Sequence, residues 1–130
     1  MNYQPITCVW EVTMGCNMRC GHCGSSCTNP LKDELNTVEA LDLCDQIAGL
    51  GVQWITLSGG EPLTRKDITK LVGRLHDKGV TVNLITNGWA LNETMAVQLK
   101  ESGIATVAIS IDGTEAIHDQ IRKEGSFARS

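Results

Sequence analysis

The sequence has no excess of basic residues, no long apolar run and no leader-like start. Its 130 residues carry 11 Lys and Arg against 15 Asp and Glu, and the absence of a basic stripe argues against dedicated nucleic-acid binding. No apolar stretch approaches the roughly 18 residues that a membrane span requires. The first residues, Met-Asn-Tyr-Gln-Pro, lack the basic and apolar regions of a signal peptide. We therefore expect a cytoplasmic protein that binds neither nucleic acid nor membranes.

Cysteine, in contrast, is abundant, and three of the six cysteines form the pattern C-x3-C-x2-C. These are Cys16, Cys20 and Cys23. Three thiolates at this spacing can hold a [4Fe–4S] cluster, and because such clusters normally take four cysteines, one iron would lack a protein ligand. An open coordination position is where a metal site binds substrate or does chemistry. The spacing therefore favours a reactive cluster.

Other uses of the cysteines stay open on spacing alone. Disulfides fit poorly, because tightly clustered cysteines without a leader are typical of a reducing compartment. Cys27 offers a fourth ligand for structural zinc, although zinc sites usually use two separated C-x2–4-C pairs. A ferredoxin-type carrier would use C-x2-C-x2-C-x3-C-P. We expect Cys27 to be a loop thiol, and Cys8 and Cys44, which lie in apolar segments, to be core residues.

Hydrophobic periodicity divides the chain into alternating strands and helices. Strand patterns cover residues 6–13, 54–58, 80–86 and 105–112. Helix start signals lie at Asn36 with Glu39, at Thr64 with Asp67, near residue 92, and at Thr114. Strands that recur about every 25 residues with helices between them form a βαβ series, which predicts a parallel sheet with right-handed crossovers.

Glycine-containing turns follow three of the predicted strands, and the cysteine loop follows the first. The turns are Ser-Gly-Gly-Glu-Pro at 58–62, Thr-Asn-Gly at 86–88 and Ser-Ile-Asp-Gly at 110–113. Each turn alone has a structural explanation, because such loops need glycine for tight geometry. The carboxyl ends of parallel strands, however, form the rim where barrel active sites lie. We therefore expect all four segments to meet at one rim.

The C-x3-C-x2-C run together with Gly59-Gly60-Glu61-Pro62 resembles the signatures of the radical S-adenosylmethionine (SAM) enzyme family. The resemblance implies that the three cysteines hold a [4Fe–4S] cluster whose fourth iron is chelated by the amine and carboxylate of SAM. It also implies that the Gly-Gly-Glu-Pro motif holds the SAM amino group. Two glycines would let backbone carbonyls approach the ammonium, while Glu61 adds negative charge and Pro62 stiffens the exit.

The same resemblance implies further SAM contacts. His22 stands before the third cysteine, where the family often has an aromatic residue that packs against adenine. Asn87, Ser110 and Asp112 match positions of polar groups for the SAM ribose or carboxylate, and Arg122 is a candidate partner of the carboxylate. A structural or turn-capping role is the alternative for each.

The fold that the resemblance implies is α/β, a partial (β/α) TIM-like barrel of which this chain supplies about the first four βα units. The family core has six such units, and a full barrel takes around 250 residues. Residues 1–130 are therefore expected to be the N-terminal portion of a radical SAM core domain. The remainder of the core and any C-terminal domain would lie outside this sequence.

The activity that the resemblance implies is reductive cleavage of SAM to a 5′-deoxyadenosyl radical that abstracts hydrogen from a substrate. A reducing partner such as flavodoxin or ferredoxin would supply the electron. Residues 113–122 resemble a stretch of the SPASM-containing, peptide-modifying branch, which implies a peptide or protein substrate. The alternatives are maturation of a small cofactor precursor such as a haem-type tetrapyrrole, or a non-catalytic iron–sulfur or zinc module.

Overall fold

The computed structural model describes residues 3–130, in which four strands alternate with four α-helices. Met1 and Asn2, part of the stretch in which we expected no leader, lie outside the described residues. None of the helices formed by residues 3–130 is long and apolar enough to cross a membrane. The strands are β1 (Thr7–Glu11), β2 (Trp54–Ser58), β3 (Thr81–Thr86) and β4 (Thr106–Ile109), and the helices are α1 (Thr37–Gly49), α2 (Ile68–Asp77), α3 (Glu93–Glu101) and α4 (Glu115–Ile121).

The strands lie in the order β1-β2-β3-β4 with every neighbouring pair parallel, which confirms the predicted βαβ series. The first and last strands are shorter than the patterns at 6–13 and 105–112 predicted. Val12 and Ser110 each keep a single hydrogen bond to the neighbouring strand, to the Ser58 carbonyl at 3.0 Å and to the Thr86 carbonyl at 2.9 Å. Beyond them the chain leaves the sheet to build loops at its carboxyl edge.

The helices differ in how their first turns are capped, and only the first has the side-chain cap that the sequence predicts. α1 begins with the expected capping box, in which Asn36 accepts from the Glu39 amide and the Glu39 carboxylate accepts from the Asn36 N–H at 2.9 Å. The capping pair predicted at Thr64 with Asp67 is wrong, because the Thr64 hydroxyl donates to the Glu61 carbonyl and α2 begins only after Asp67, which makes no cap hydrogen bond. α4 begins after Thr114 as expected, but the Thr114 side chain makes no cap hydrogen bond. The Asp67 carboxylate is instead paired with Arg65 at 2.7 Å, a charged donor that outcompetes a backbone amide.

One face of the sheet packs against α1, α2 and α3, and the other face is exposed. Ile55, Leu57, Val82 and Leu84 point to the helices and are fully buried in one apolar cluster. Cys44 of α1 is buried in this cluster and Cys8 packs against it, as expected for core thiols. The opposite face exposes Val9, Trp54 and Ile85. Helices on a single face of a parallel sheet match a portion of a barrel wall.

The burial of α2 generates a direct test of this packing. Leu75→Ala should lower the free energy of unfolding by about 2–5 kcal/mol, because the side chain is fully buried and its removal leaves a cavity. The matched control is Leu50→Ala, at a leucine that is 62% exposed, which should change stability by about 0.5 kcal/mol or less. Urea unfolding of both variants measures the difference, and equal losses would contradict the described core.

Candidate functional site

The carboxyl ends of the strands and the cysteine loop surround one open pocket. The three cysteines of the C-x3-C-x2-C run share it with the Gly-Gly-Glu turn, as the sequence predicted. Pro62 is buried at the start of a 3-10 turn, Pro62–Thr64, and Asp112 pairs with two residues of the pocket wall. The pocket is lined by Cys16, Cys20, His22, Cys23, Cys27, Ser58, Gly59, Gly60, Glu61, Ile85, Thr86, Asn87, Ser110 and Arg122.

Gly59 and Gly60 pack directly against the segment that leads into the cysteine loop. A Cβ atom on Gly59 would lie 2.4 Å from the Thr13 carbonyl oxygen, and one on Gly60 would lie 2.3 Å from that of Gly15. Gly59 also has a φ of +130°, which disfavours any side chain. The Gly60 and Glu61 amides donate to the Thr13 and Gly15 carbonyls at 2.7 and 2.8 Å. The contact between the two loops therefore requires both glycines, independently of any ligand.

The Glu61 carboxylate is buried and accepts hydrogen bonds from three donors. Its Oε1 accepts from the Leu63 amide at 3.0 Å and the Thr86 hydroxyl at 2.7 Å, and its Oε2 accepts from the Asn87 amide at 2.8 Å. Burial raises the pKa of Glu61, although these hydrogen bonds and the Arg122 charge act in the opposite direction. Glu61 thus connects the turn after β2 to the end of β3, and its contact with SAM stays a prediction.

Two charged residues outside the predicted motifs hold the segment that leads into the cysteine loop. The Glu34 carboxylate accepts from the Thr13 hydroxyl at 2.8 Å and the Met14 amide at 2.6 Å. Burial opposes its ionisation, but hydrogen bonds from backbone amides and the Thr13 hydroxyl outweigh burial and lower the pKa of Glu34. Arg65 donates to the Val12 carbonyl at 2.9 Å. Sequence reasoning missed both residues, because these partners lie 20 to 53 positions away and no local pattern marks them.

The four thiols of the loop lie in different environments. Burial raises the pKa of Cys20, although the nearby charge of Arg122 lowers it. The pKa of Cys23 is lowered, chiefly because the Cys27 backbone N–H donates to its sulfur. Burial raises the pKa of the Cys27 thiol. Cys16 lies in the same pocket, and its sulfur is 4.0 Å from the side-chain amide nitrogen of Asn87 on the neighbouring strand end.

The donor set fits a [4Fe–4S] cluster. Four loop cysteines line one pocket, the three of the C-x3-C-x2-C run and Cys27, and thiolate sulfurs are the ligands that such clusters take. Within residues 3–130, no three His, Cys, Asp or Glu side chains converge on one ion position. The guanidinium of Arg122 interacts electrostatically with Cys20 and Cys16, so a positive charge lies beside two of the sulfurs proposed to bind the cluster. The chemistry and charge of the loop thus suit the cluster predicted from the spacing, but the three sulfurs do not lie around one ion position, so their role as its ligands stays a prediction.

Asp112 joins two of the predicted contact residues, which come from different segments. His22 Nε2 lies 3.2 Å from Asp112 Oδ1, and Arg122 donates to both carboxylate oxygens through Nε and Nη2. Hydrogen bonds from Arg122 lower the pKa of Asp112 to about 2, with His22 contributing in the same direction. The Gly21 amide also donates to the Ile121 carbonyl at 2.8 Å. The end of α4 is thus attached to the cysteine loop.

The remaining predicted residues are placed as follows. Asn87 donates through Nδ2 to Asn17 Oδ1 at 2.8 Å and accepts the Trp89 amide at 3.0 Å, so its side chain already bridges two loops. Ser110 lines the pocket at the end of β4. His118 is fully buried and accepts the Asp112 amide at 3.3 Å, which gives it a structural role.

The chain is similar to known proteins in both sequence and fold. The model of the Radical SAM superfamily matches residues 10–130. The AdoMet-dependent heme synthase of Methanosarcina barkeri is 39% identical over 100% of this chain and 38% of its own length. The mycofactocin maturase MftC of Mycobacterium ulcerans is 38% identical over 95% of this chain and 34% of its own. Streptococcus suis SuiB, solved bound to S-adenosylmethionine, shares the fold with a TM-score of 0.81 at 19% identity, over 96% of this chain and 29% of its own. The chain thus spans about a third of each relative's length.

Removing the Glu61 carboxylate tests its part in joining the loops. Glu61→Ala should lower the free energy of unfolding by roughly 3 kcal/mol or more, because three buried donors lose their acceptor at about 1–3 kcal/mol each. Glu101→Ala, at an exposed residue ending α3, is the matched control and should be nearly neutral. Urea unfolding near neutral pH measures both, and equal midpoints would show that the Glu61 contacts do not stabilise the fold.

The Asp112 contacts predict a pH dependence of stability. The folded-state pKa of about 2 lies below the ordinary 3.8, so the ionised carboxylate contributes stability above that ordinary value and loses it as the pH falls toward 2. The stability difference between the natural protein and Asp112→Asn should therefore be full near pH 6 and shrink between about pH 4 and pH 2.

Unfolding at a series of pH values measures this difference, with Asp33→Asn, at an exposed residue, as the control. A difference between the natural protein and Asp112→Asn that stays constant with pH would contradict the ion pair.

Proposed function

The chain belongs to the radical SAM superfamily, and we propose that it is the N-terminal, SAM-binding portion of the enzyme core, with a [4Fe–4S] cluster held by Cys16, Cys20 and Cys23. One observation carries the proposal: these three thiols share a single pocket with the Gly-Gly-Glu turn at the carboxyl edge of a parallel sheet. When bound, the cluster supplies the electron that cleaves SAM to methionine and a 5′-deoxyadenosyl radical, which takes a hydrogen atom from the substrate.

The pocket wall supplies groups that suit the charged and polar ends of SAM. Backbone carbonyls of residues 59–61 are acceptors for an ammonium. The Arg122 guanidinium, held along one edge by Asp112, is suited to a carboxylate. Ser110 offers a hydroxyl and Asn87 an amide to the ribose or the carboxylate at adjacent strand ends.

His22 suits the adenine ring. Its side chain is 47% exposed at the pocket, and its Nε2 is held by Asp112. A flat ring in a fixed orientation offers a stacking surface for the base.

The charge of Arg122 has a second consequence for the proposed cluster. The guanidinium acts electrostatically on Cys20 and Cys16, and Asp112 prevents it from moving away. A fixed cation beside anionic sulfurs offsets part of their charge, which is one factor that sets the reduction potential of an iron–sulfur cluster. A ferredoxin or flavodoxin is the proposed source of the electron.

A peptide or protein is the substrate that we propose for the whole enzyme. Residues 113–122 resemble the peptide-modifying branch, and SuiB, whose fold this chain shares, has been solved bound to its precursor peptide SuiA. An iron tetrapyrrole is the second candidate. It is favoured by the 39% identity to a heme synthase and the 37% identity to the Fe-coproporphyrin III synthase of Methanosarcina barkeri.

Anaerobic reconstitution tests the proposed cluster. The protein should take up about four irons per chain and show an EPR signal after reduction that SAM perturbs. Cys20→Ala should lose both the iron and the signal, because two cysteine ligands are too few to hold the cluster. The matched control is Cys8→Ala, at a thiol that packs against the core rather than lining the pocket, and it should keep them.

With dithionite and SAM, the full-length enzyme should also release 5′-deoxyadenosine. Stoichiometric zinc without iron uptake would instead support a structural metal module.

A further inference from the structure

A tryptophan in the loop after β3 carries two positive charges to which the proposed function gives no role. The Lys123 Nζ lies 3.6 Å from the centroid of the Trp89 ring, and the Arg129 Cζ lies 4.1 Å from it. Both cationic residues are exposed, and Trp89 is half-buried. Cations at such distances are attracted to an aromatic face, so one ring holds two charges that repel each other. We call these three residues the rim cluster.

The rim cluster adjoins the proposed SAM pocket through both of the segments that form it. The Trp89 amide donates to the side-chain oxygen of Asn87 at 3.0 Å, and Asn87 lines the pocket. Lys123 directly follows Arg122, which also lines the pocket. A molecule in the pocket and a group bound at the rim cluster would therefore be neighbours.

A turn held by Asp119 fixes the segment that supplies the two cations. The Asp119 Oδ2 accepts from the Gly125 amide at 2.7 Å, and its Oδ1 accepts from the Phe127 amide at 2.8 Å and the Ser126 hydroxyl at 3.2 Å. Ser126 is fully buried. One cation precedes this turn and the other follows it, so the fold itself brings both charges to the same ring.

The rim cluster lacks an acidic partner among residues 3–130. The ion pairs of this part of the chain include neither Lys123 nor Arg129, although acidic residues outnumber basic ones by 15 to 11. The Asp119 carboxylate, on the same segment, accepts hydrogen bonds from the turn. Clustered charges of one sign raise the local concentration of ions of the opposite sign. Because an arginine can stack on an aromatic ring and also bind a carboxylate through its N–H groups, the rim cluster suits a carboxylate ligand.

We propose that the rim cluster is a subsite that binds a carboxylate of the substrate beside the SAM pocket. The inference rests on the proposed function, because it takes the neighbouring pocket to be the SAM site. Two sources supply this chemistry, the acidic side chains of a peptide and the propionates of an iron tetrapyrrole, which belong to the two substrate candidates. The subsite contributes to substrate selection and orientation, and it takes no part in the cleavage of SAM.

Equilibrium binding to the full-length enzyme tests the subsite. The probes are a fluorescein-labelled hexaglutamate peptide, the matching hexaglutamine peptide and Fe-coproporphyrin III. The natural protein should bind a carboxylate probe and not the hexaglutamine peptide. Lys123→Gln combined with Arg129→Gln should raise the Kd for that probe by about tenfold, the size expected for two exposed charge contacts. A rise confined to hexaglutamate identifies a peptide carboxylate, and one confined to the tetrapyrrole identifies a propionate.

Control variants separate the charges from the packing of the turn. Lys123→Arg keeps a cation that can stack on Trp89, so it should bind the probe as the natural protein does. Lys100→Gln removes a charge from an exposed position in the last turn of α3. It should leave the Kd unchanged in about 0.1 M salt, where charges more than about 10 Å apart are screened. Circular dichroism checks that each variant is folded, and Lys123→Gln alone tests the same claim if the double variant is not.

Three results would overturn the inference. They are an unchanged Kd of the double variant for both carboxylate probes, no binding of either probe by the natural protein, and a loss of affinity confined to an acidic flavodoxin. The last result would identify the rim cluster as the contact for the electron donor. Failure of the natural protein to take up iron would instead contradict the proposed function, whatever the Kd values, so the two failures are distinguishable.

Discussion

The site depends on a backbone contact between the turn after β2 and the segment that leads into the cysteine loop. Gly59 and Gly60 approach the carbonyls of Thr13 and Gly15 so closely that no Cβ atom fits between the two loops. Two main-chain hydrogen bonds stabilise the contact, from the Gly60 amide to the Thr13 carbonyl at 2.7 Å and from the Glu61 amide to the Gly15 carbonyl at 2.8 Å. Because no rotatable side chain intervenes, the position of the cysteines relative to the turn follows directly from the backbone.

Three carboxylates extend this contact to the rest of the pocket. Glu61 joins the turn to the end of β3, Glu34 holds the segment at residues 13–14, and Asp112 attaches the loop to β4 and α4 through His22 and Arg122. Each carboxylate accepts hydrogen bonds from charged or backbone donors, which offset the cost of removing its charge from water. The frame around the loop is therefore built from the protein's own groups, and binding of the proposed cluster would add folding energy to a loop whose two ends are already held.

Local features of the fold could be predicted from the sequence, and long-range ones could not. The capping box at Asn36 and the strand at 54–58 depend on neighbouring residues and are as expected. The capping pair predicted at Thr64 with Asp67 was wrong because Arg65 binds the Asp67 carboxylate while also reaching the Val12 carbonyl. Glu34 carried no local signal, since its role depends on a contact 20 residues away.

The candidate site shows the same division. Cysteine spacing and the Gly-Gly-Glu turn identified the pocket, because their pattern is local and specific. The direction of the Glu61 carboxylate and the burial of Cys27 depend on how separate turns meet in space. A sequence pattern therefore predicts which residues belong to a site, but not which of their side chains point towards a ligand.

The central claim is that the pocket holds a three-cysteine cluster whose open iron binds SAM, and electron–nuclear double resonance tests it most directly. The measurement uses the reduced protein with SAM carrying 15N in its amino group or 17O in its carboxylate. A hyperfine coupling between the cluster and each labelled atom is the predicted result. A reduced cluster that shows no coupling to either label would contradict the account, because SAM would then not be bound at the iron.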